Sequence, residues 1–122
     1  MSDADLPAPE LTTAADGNTT IVRVTGEIDL SNSDELRDRC LEFLDAGVDA
    51  LVIDLSEVTF FASSGIAALG QIRVHNATRQ RPVHVVASRT VRRSLEVTAM
   101  DSLLPLHESL ENALVAAKAD VT

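Results

Sequence analysis

Two short and almost uninterrupted apolar segments constrain the fold of this chain most. They are Ala50–Leu55 (ALVIDL) and Val83–Ala87 (VHVVA). Apolar runs of this length are typical of strands that are covered on both faces, as in a parallel sheet with helices around it. The only aromatic residues are three Phe, with no Trp or Tyr. The core must therefore be built from Val, Leu, Ile and Ala.

The segments around these two strands alternate between strand and helix patterns. Residues Thr20–Thr25 alternate with a period of two, and Asp16-Gly17-Asn18 is a strong turn signal before them. The other strands are expected to be a weak one at Leu11–Ala14 and an edge strand at Leu103–Leu106, and loops are expected at Gly26–Leu30 and Ser56–Ala62. The first helix is expected to be capped by Ser31, with Asp34 as its capping-box partner, and the second to run from Ser63 to about Arg79. A short helix should begin at Ser88 or Thr90 and run through Met100 with Ala99 facing inward, and Ser109 should cap the final helix.

This order predicts a single α/β domain. We expect residues 9–118 to form one mixed β-sheet of about four to five strands, covered by about four helices and joined by right-handed crossovers. Residues 1–8 are expected to be a flexible N-terminal tail, and residues 119–122 a flexible C-terminus.

Charge and composition argue against nucleic acid and membranes as partners. The net charge is −9, and an acidic body is repelled by phosphate backbones. Base stacking needs aromatic platforms, which are scarce here. No run approaches the ~18 apolar residues of a membrane span. The N-terminus lacks the apolar core of a signal peptide, so we expect a cytoplasmic protein.

The common cofactor and metal motifs are absent. The sequence contains no GxGxxG and no GxxxxGK[ST], the usual phosphate-binding loops. His75, His84 and His107 lie far apart in the chain, so we expect ordinary surface or strand histidines and no metal site. The single cysteine, Cys40, falls on the apolar side of a predicted helix and is expected to be a buried thiol. No cofactor is expected.

Ser63 attracts attention because it lies where a loop meets a helix. Ser63-Ser64-Gly65 could be no more than a helix cap with a glycine that permits close packing. A nucleophile elbow would need Gly two residues before the serine, where Phe61 stands. A helix N-terminus with small residues around it can also accommodate a phosphate, because its unpaired N–H groups carry a partial positive charge.

Four segments of the chain carry a further pattern: Gly26-Glu27-Ile28-Asp29-Leu30; Leu51-Val52-Ile53-Asp54-Leu55-Ser56 with Val58 and Phe60; Ser63-Ser64-Gly65-Ile66; and Arg92-Arg93-Ser94-Leu95-Glu96-Val97-Thr98 with Met100-Asp101. In their order and spacing they resemble the anti-sigma factor antagonist branch of the STAS-domain family, and the resemblance extends from about residue 8 to residue 117.

The resemblance implies a switch protein without chemistry of its own. Family members bind an anti-sigma factor that is also a serine kinase, which frees the sigma factor. The kinase then phosphorylates the first serine of the Ser-Ser-Gly element, here Ser63, and the complex weakens until a serine phosphatase restores it. ATP and Mg²⁺ belong to the kinase. Asp29 matches a loop acid that the family places near the phosphorylated serine.

The resemblance also indicates a partner-binding surface. Its expected members surround the acceptor serine: Asp29, Phe61, Ala62, Ser63, Ser64, Gly65 and Ile66. Of the two adjacent aromatics, Phe60 is expected to lock the loop onto the core and Phe61 to be a partly exposed contact residue. Ala62 stands where the family often has Asp, which removes a negative charge from the place where the γ-phosphate would arrive.

Two other classes of function remain open at this point. One is a STAS module that serves as an unphosphorylated scaffold or ligand sensor. The other is a small serine hydrolase, although no clean Asp-then-His pair follows Ser63 in the chain.

Overall fold

In the computed structural model, which describes residues 8–121, the chain forms one five-stranded sheet with four α-helices. The elements are β1 (Glu10–Asp16), β2 (Thr19–Ile28), α1 (Ser33–Asp45), β3 (Ala50–Phe61), α2 (Ser63–Asn76), β4 (Val83–Ala87), α3 (Arg89–Val97), a 3₁₀ turn (Met100–Ser102), β5 (Leu106–His107) and α4 (Leu110–Val121). The predicted fold class, strand number and helix number are confirmed. The predicted tail lies almost entirely outside the described residues.

The strands lie side by side in the order β1-β2-β3-β4-β5. β1 pairs antiparallel with β2, and every other neighbouring pair is parallel. Parallel strands need a crossover, and α1, α2 and α3 supply one each. β1 and β5 are the edges, so the expected edge position of the last strand is correct.

The main core lies between the sheet and helices α1, α2 and α3. Its members include Leu36 and Cys40 from α1, Leu69 from α2 and Leu95 from α3, all of them buried. Burial raises the pKa of the Cys40 thiol to about 12, so the thiol stays protonated at neutral pH. Helix α4 covers part of the opposite face, where Ala113 and Ala117 pack against a smaller apolar cluster from three strands.

The two central strands are longer than the sequence indicates. β2 continues through Gly26–Ile28 and β3 through Ser56–Phe61, where loops are predicted. The pairing of these two strands shifts register twice, between Arg23 and Thr25 and again between Gly26 and Glu27. Each shift places one extra residue in β3, which is the geometry of a β-bulge. The bulges break the period-two pattern, and a broken pattern resembles a loop.

Several helix and strand limits also differ from the prediction. The expected capping role of Ser31 is wrong, because α1 begins at Ser33 with Asn32 in the N-cap position. α2 ends at Asn76, and α3 ends at Val97. Ala99 is exposed and adopts a left-handed φ of 61°, so it does not face inward. The last strand is shifted to Leu106–His107, and α4 extends through Val121, past the predicted domain end.

Two predicted helix starts are confirmed in detail. The Ser88 hydroxyl accepts a hydrogen bond from the Val91 amide at 3.2 Å, and the Ser109 hydroxyl accepts one from the Asn112 amide at 3.1 Å. In residues 8–121 we find no helix long and apolar enough to cross a membrane. Within the same range, no group of three or more His, Cys, Asp and Glu side chains is arranged to hold a metal ion.

Candidate functional site

The Asp29 loop and the Ser63 turn meet at the carboxyl ends of β2 and β3. Ile28 is the register partner of Phe61, and the Ala62 amide donates a hydrogen bond to the Ile28 carbonyl at 2.9 Å. The chain leaves both strands immediately after this contact. Two segments that lie more than thirty residues apart in the sequence are therefore held next to each other, as the functional ends of parallel strands usually are.

The loop after β2 is braced by its own side chains. The Asp29 carboxylate accepts hydrogen bonds from the Ser31 amide at 2.9 Å and from the Ser31 hydroxyl. Asn32 accepts from the Asp29 amide at 3.0 Å and donates to the Glu27 carbonyl at 2.8 Å. This is an Asx-type arrangement, in which short polar side chains satisfy the backbone of a turn.

The same bonds keep the Asp29 carboxylate charged. The hydroxyl and then the amide of Ser31 lower the pKa of Asp29 below its usual value, because both stabilise the ionised form. The loop thus presents a fixed negative charge at neutral pH. Beside it, the Leu30 side chain is 86% exposed and extends outward.

Ser63 is the exposed first residue of α2. The N-cap residue is Ala62, which makes no side-chain capping bond, and no acid lies in the first turn. The start of the helix therefore keeps its partial positive charge uncovered by its own residues. The next residue differs: the Ser64 hydroxyl oxygen is buried and has no hydrogen-bond partner among the described residues. Of the two serines, only Ser63 is classed as exposed.

Gly65 is required by packing. A Cβ built on Gly65 would lie 2.6 Å from Cε1 of Phe61 and 3.0 Å from Cγ2 of Ile28. Real Cβ atoms do not approach so closely, so a larger residue would push α2 away from the ends of both strands. Gly65 is buried and lets the helix begin directly against the Phe61 ring.

The expected roles of the two adjacent phenylalanines are reversed. Phe61 is 6% exposed and belongs to the main core, whereas Phe60 is 50% exposed. The prediction that Phe61 is partly exposed is therefore wrong. Because β3 runs to Phe61, neighbouring side chains point to opposite faces, and the face that meets α2 takes Phe61.

The predicted surface residues thus divide into two groups. Ser63 is exposed, and Asp29, Ala62, Ser64 and Ile66 are partly accessible, while Phe61 and Gly65 lie beneath them. Leu30 and Phe60 are exposed apolar side chains at the same end of the sheet. Neither residue was among those predicted from the sequence to form the partner-binding surface. The exposure of Leu30 could have been predicted from its position between Asp29 and Ser31, two polar residues typical of a turn.

Comparison with known proteins agrees with this architecture. A model of the STAS domain family matches residues 10–113. An anti-sigma factor antagonist from Mycobacterium paratuberculosis is 28% identical, with a TM-score of 0.83 over 91% of this chain and 95% of that chain. The anti-sigma factor antagonist SpoIIAA in its unphosphorylated form is 19% identical, with a TM-score of 0.71 over 92% of this chain and 97% of that chain.

The same fold also occurs in another setting. A sulfate transporter family protein from Wolinella succinogenes is 15% identical, with a TM-score of 0.76 over 87% of this chain and 89% of that chain. At such low identity the likeness concerns the fold alone. The family model, in contrast, spans the whole sheet and helices α1, α2 and α3, and the chain belongs to the STAS domain family.

Proposed function

We propose that this chain is an anti-sigma factor antagonist, and that it binds an anti-sigma factor through the end of the sheet around Ser63. The observation that carries the proposal is the pairing of an exposed serine at a helix start with a braced acidic loop beside it. The likeness to the mycobacterial antagonist, which extends over nearly the whole of both chains, supports the same reading.

The contact surface that we propose differs from the one expected from sequence. Ser63 is its centre, with Asp29, Ala62, Ser64 and Ile66 around it. Leu30 and Phe60 supply the exposed apolar area that a protein partner can bury. Interfaces draw most of their free energy from a few such side chains near the centre. Phe61 and Gly65 support the surface from below.

Phosphorylation of Ser63 is the proposed off-switch. A phosphoserine carries about −1.5 to −2 charges and three acceptor oxygens. The unphosphorylated Ser63 side chain would lie within the interface, where an added phosphate must be desolvated and collides with the partner, which weakens the complex.

The remaining partners follow from that switch. The chain carries no phosphate-binding loop, so the kinase activity, with its ATP and Mg²⁺, is assigned to the anti-sigma factor. A serine phosphatase returns the protein to its binding form. These exchanges would take place in the cytoplasm, where the transcription machinery is.

Binding measurements with Ser63 variants test the proposal. Ser63→Ala should bind the anti-sigma partner about as tightly as the unmodified protein. Ser63→Glu should bind at least tenfold more weakly, although a carboxylate copies only part of a phosphate. The matched control is Ser102→Glu, which adds the same charge at an exposed serine of the 3₁₀ turn.

Two results would contradict the proposal. Equal weakening by Ser63→Glu and Ser102→Glu would mean that only the net charge matters. No binding to any anti-sigma factor by the unmodified protein would favour a STAS module that acts as a scaffold or ligand sensor.

A further inference from the structure

An open groove follows the outer side of α2, between α1 and the 3₁₀ turn. Its volume is about 580 Å³. The apolar part of its lining comes from α1, α2, the 3₁₀ turn and the residue after that turn, and consists of Leu41, Ala67, Gly70, Val74, Met100 and Leu103. The Val74 side chain is 67% exposed and the Leu103 side chain 45%. Large apolar side chains that face solvent within one concave surface are a feature of interaction sites.

The outermost positions of α2 after Ser63 are apolar. Residues four, seven and eleven positions after Ser63 lie on the same face of the helix, and they are Ala67, Gly70 and Val74. The opposite, buried face of α2 is also apolar, whereas α3 has arginines on its outer face. A helix that is apolar on all sides is usually buried. The outer face of α2 therefore suits a protein partner better than it suits water.

Gly70, at the floor of the groove, is not required by the internal packing of the chain. A Cβ built on it would meet only Cε of Met100 at 3.6 Å, an ordinary contact, and its φ is not positive. Glycine inside a helix lowers stability relative to alanine. Its advantage at this position is the space that it leaves, because the distance between two packed helices depends on the side chains at their contact.

The ionisable residues of the groove give it a positive character. Among the described residues that line it none is acidic, and the ionisable ones are Arg73 and His75. His75 pairs with Asp45, whereas the exposed Arg73 has no ion pair with any residue in the described range 8–121. An unpaired guanidinium at the margin of an apolar groove favours a partner with an acidic residue opposite it.

The groove also continues the surface proposed around Ser63. Val74 lies three turns from Ser63, or about 16 Å along the helix axis at 1.5 Å per residue. A standard interface buries about 800 Å² on each partner, the area of a disc with a radius of about 16 Å. A partner that covers Ser63 and extends along α2 is therefore large enough to cover the groove as well.

We propose that this groove receives an amphipathic helix of the anti-sigma factor. The apolar stripe of that helix packs on Ala67, Gly70 and Val74, and an acidic residue beside the stripe pairs with Arg73. Small residues one turn apart on the floor leave room for the side-chain ridge of a second helix, and a helix in an apolar groove is a recurrent form of recognition. The inference rests on the function proposed for Ser63 and adds a second contact region to it.

The first test is the affinity of a purified anti-sigma factor for Gly70→Gln and Val74→Gln. Each change places a longer polar side chain in the groove, so each should weaken binding at least tenfold. The matched control is Val115→Gln on α4, because Val115 is 65% exposed and Val74 is 67% exposed. Urea unfolding should show Gly70→Gln to be at least as stable as the unmodified chain, since glutamine is a better helix former than glycine.

Ser63→Glu in the same assay separates this inference from the proposed function. Weakened binding of Ser63→Glu with unchanged affinity of both groove variants would overturn the groove contact and leave the proposed function intact. No binding by the unmodified chain would count against the proposed function itself, and the groove contact would fall with it. A second copy of this chain in the groove would also overturn the inference. Sedimentation would then show a dimer that Gly70→Gln converts to a monomer, with unchanged affinity for the anti-sigma factor.

Cross-linking from the groove tests whether the partner element is a helix. Val74→Cys can be labelled with a maleimide photo-cross-linker, because the native Cys40 is buried and its pKa is raised to about 12. The cross-linked peptide should come from a helix of the anti-sigma factor with apolar residues three and four positions apart. Arg73→Glu should weaken binding, and changing an acidic residue beside that apolar stripe to Lys should restore it. Cross-links confined to a loop or strand, or equally strong from Val115→Cys, would contradict the proposal.

Discussion

At the scale of single residues, the site depends on which of two neighbours is buried. The sequence places Phe60 and Phe61 in a loop, and a loop has no alternation from which to choose between them. Alternation from the buried Val58 would bury Phe60, but the second register shift places an extra residue between Val58 and Phe60, and this reverses the phase so that Phe61 lies in the core and Phe60 on the surface. The helix start that the sequence predicts at Ser63 agrees with the structure, in which α2 begins at Ser63. It could be predicted because small residues and the change from a strand to a helix pattern are features of the local sequence.

Gly65→Ala is a test of the packing at this point. The added methyl would lie 2.6 Å from the Phe61 ring, so we expect a loss of about 1–3 kcal/mol in the free energy of unfolding. Gly70→Ala in the same helix is the matched control. Its Cβ would meet only Met100 at 3.6 Å, an ordinary contact, and the change should stabilise by about 0.4–1 kcal/mol. Urea unfolding measures both, and equal effects would refute the close-packing role of Gly65.

At the scale of elements, the strands that carry the site are the ones whose limits the sequence misjudges. Gly26 has a φ of 89° inside β2, which is unusual for a strand and explains why the segment resembles a loop exit. A Cβ there would also approach Pro9 Cα at 3.3 Å. The covered strand β4 is predicted with correct limits, because both of its faces are buried and its apolar run is continuous.

The braced loop after β2 should contribute to binding without contributing to stability. Leu30→Ser removes a side chain that is 86% exposed, so the free energy of unfolding should change by less than about 0.5 kcal/mol. Binding to the anti-sigma partner should weaken about fivefold or more, as for a contact residue worth at least 1 kcal/mol. Val97→Ser is the control, since Val97 is 79% exposed at the far end of α3. Unchanged affinity in Leu30→Ser would remove the loop from the proposed surface.

At the scale of the whole molecule, the topology follows from local patterns, but the long-range contacts do not. Short apolar runs separated by helices are enough to predict a parallel sheet in one domain. The contacts of His84 with His107 and with Asp120 could not be predicted from the sequence. The two histidines are 23 residues apart in the chain, and Asp120 belongs to a third element, α4. The side-by-side position of Asp29 and Ser63 was expected only from family resemblance. In the structure it has a physical cause, the pairing of β2 with β3 up to their last residues.

We expect the site to be switched through Ser63 and not through Ser64. Ser63 is exposed, and the Ser64 hydroxyl is buried in the start of α2. The most direct measurement is intact-mass analysis with phosphosite mapping, after incubation with candidate anti-sigma kinases, ATP and Mg²⁺. The unmodified chain and Ser64→Ala should each gain one phosphate on Ser63, and Ser63→Ala should gain none. Phosphate that persists in Ser63→Ala and disappears in Ser64→Ala would contradict the account.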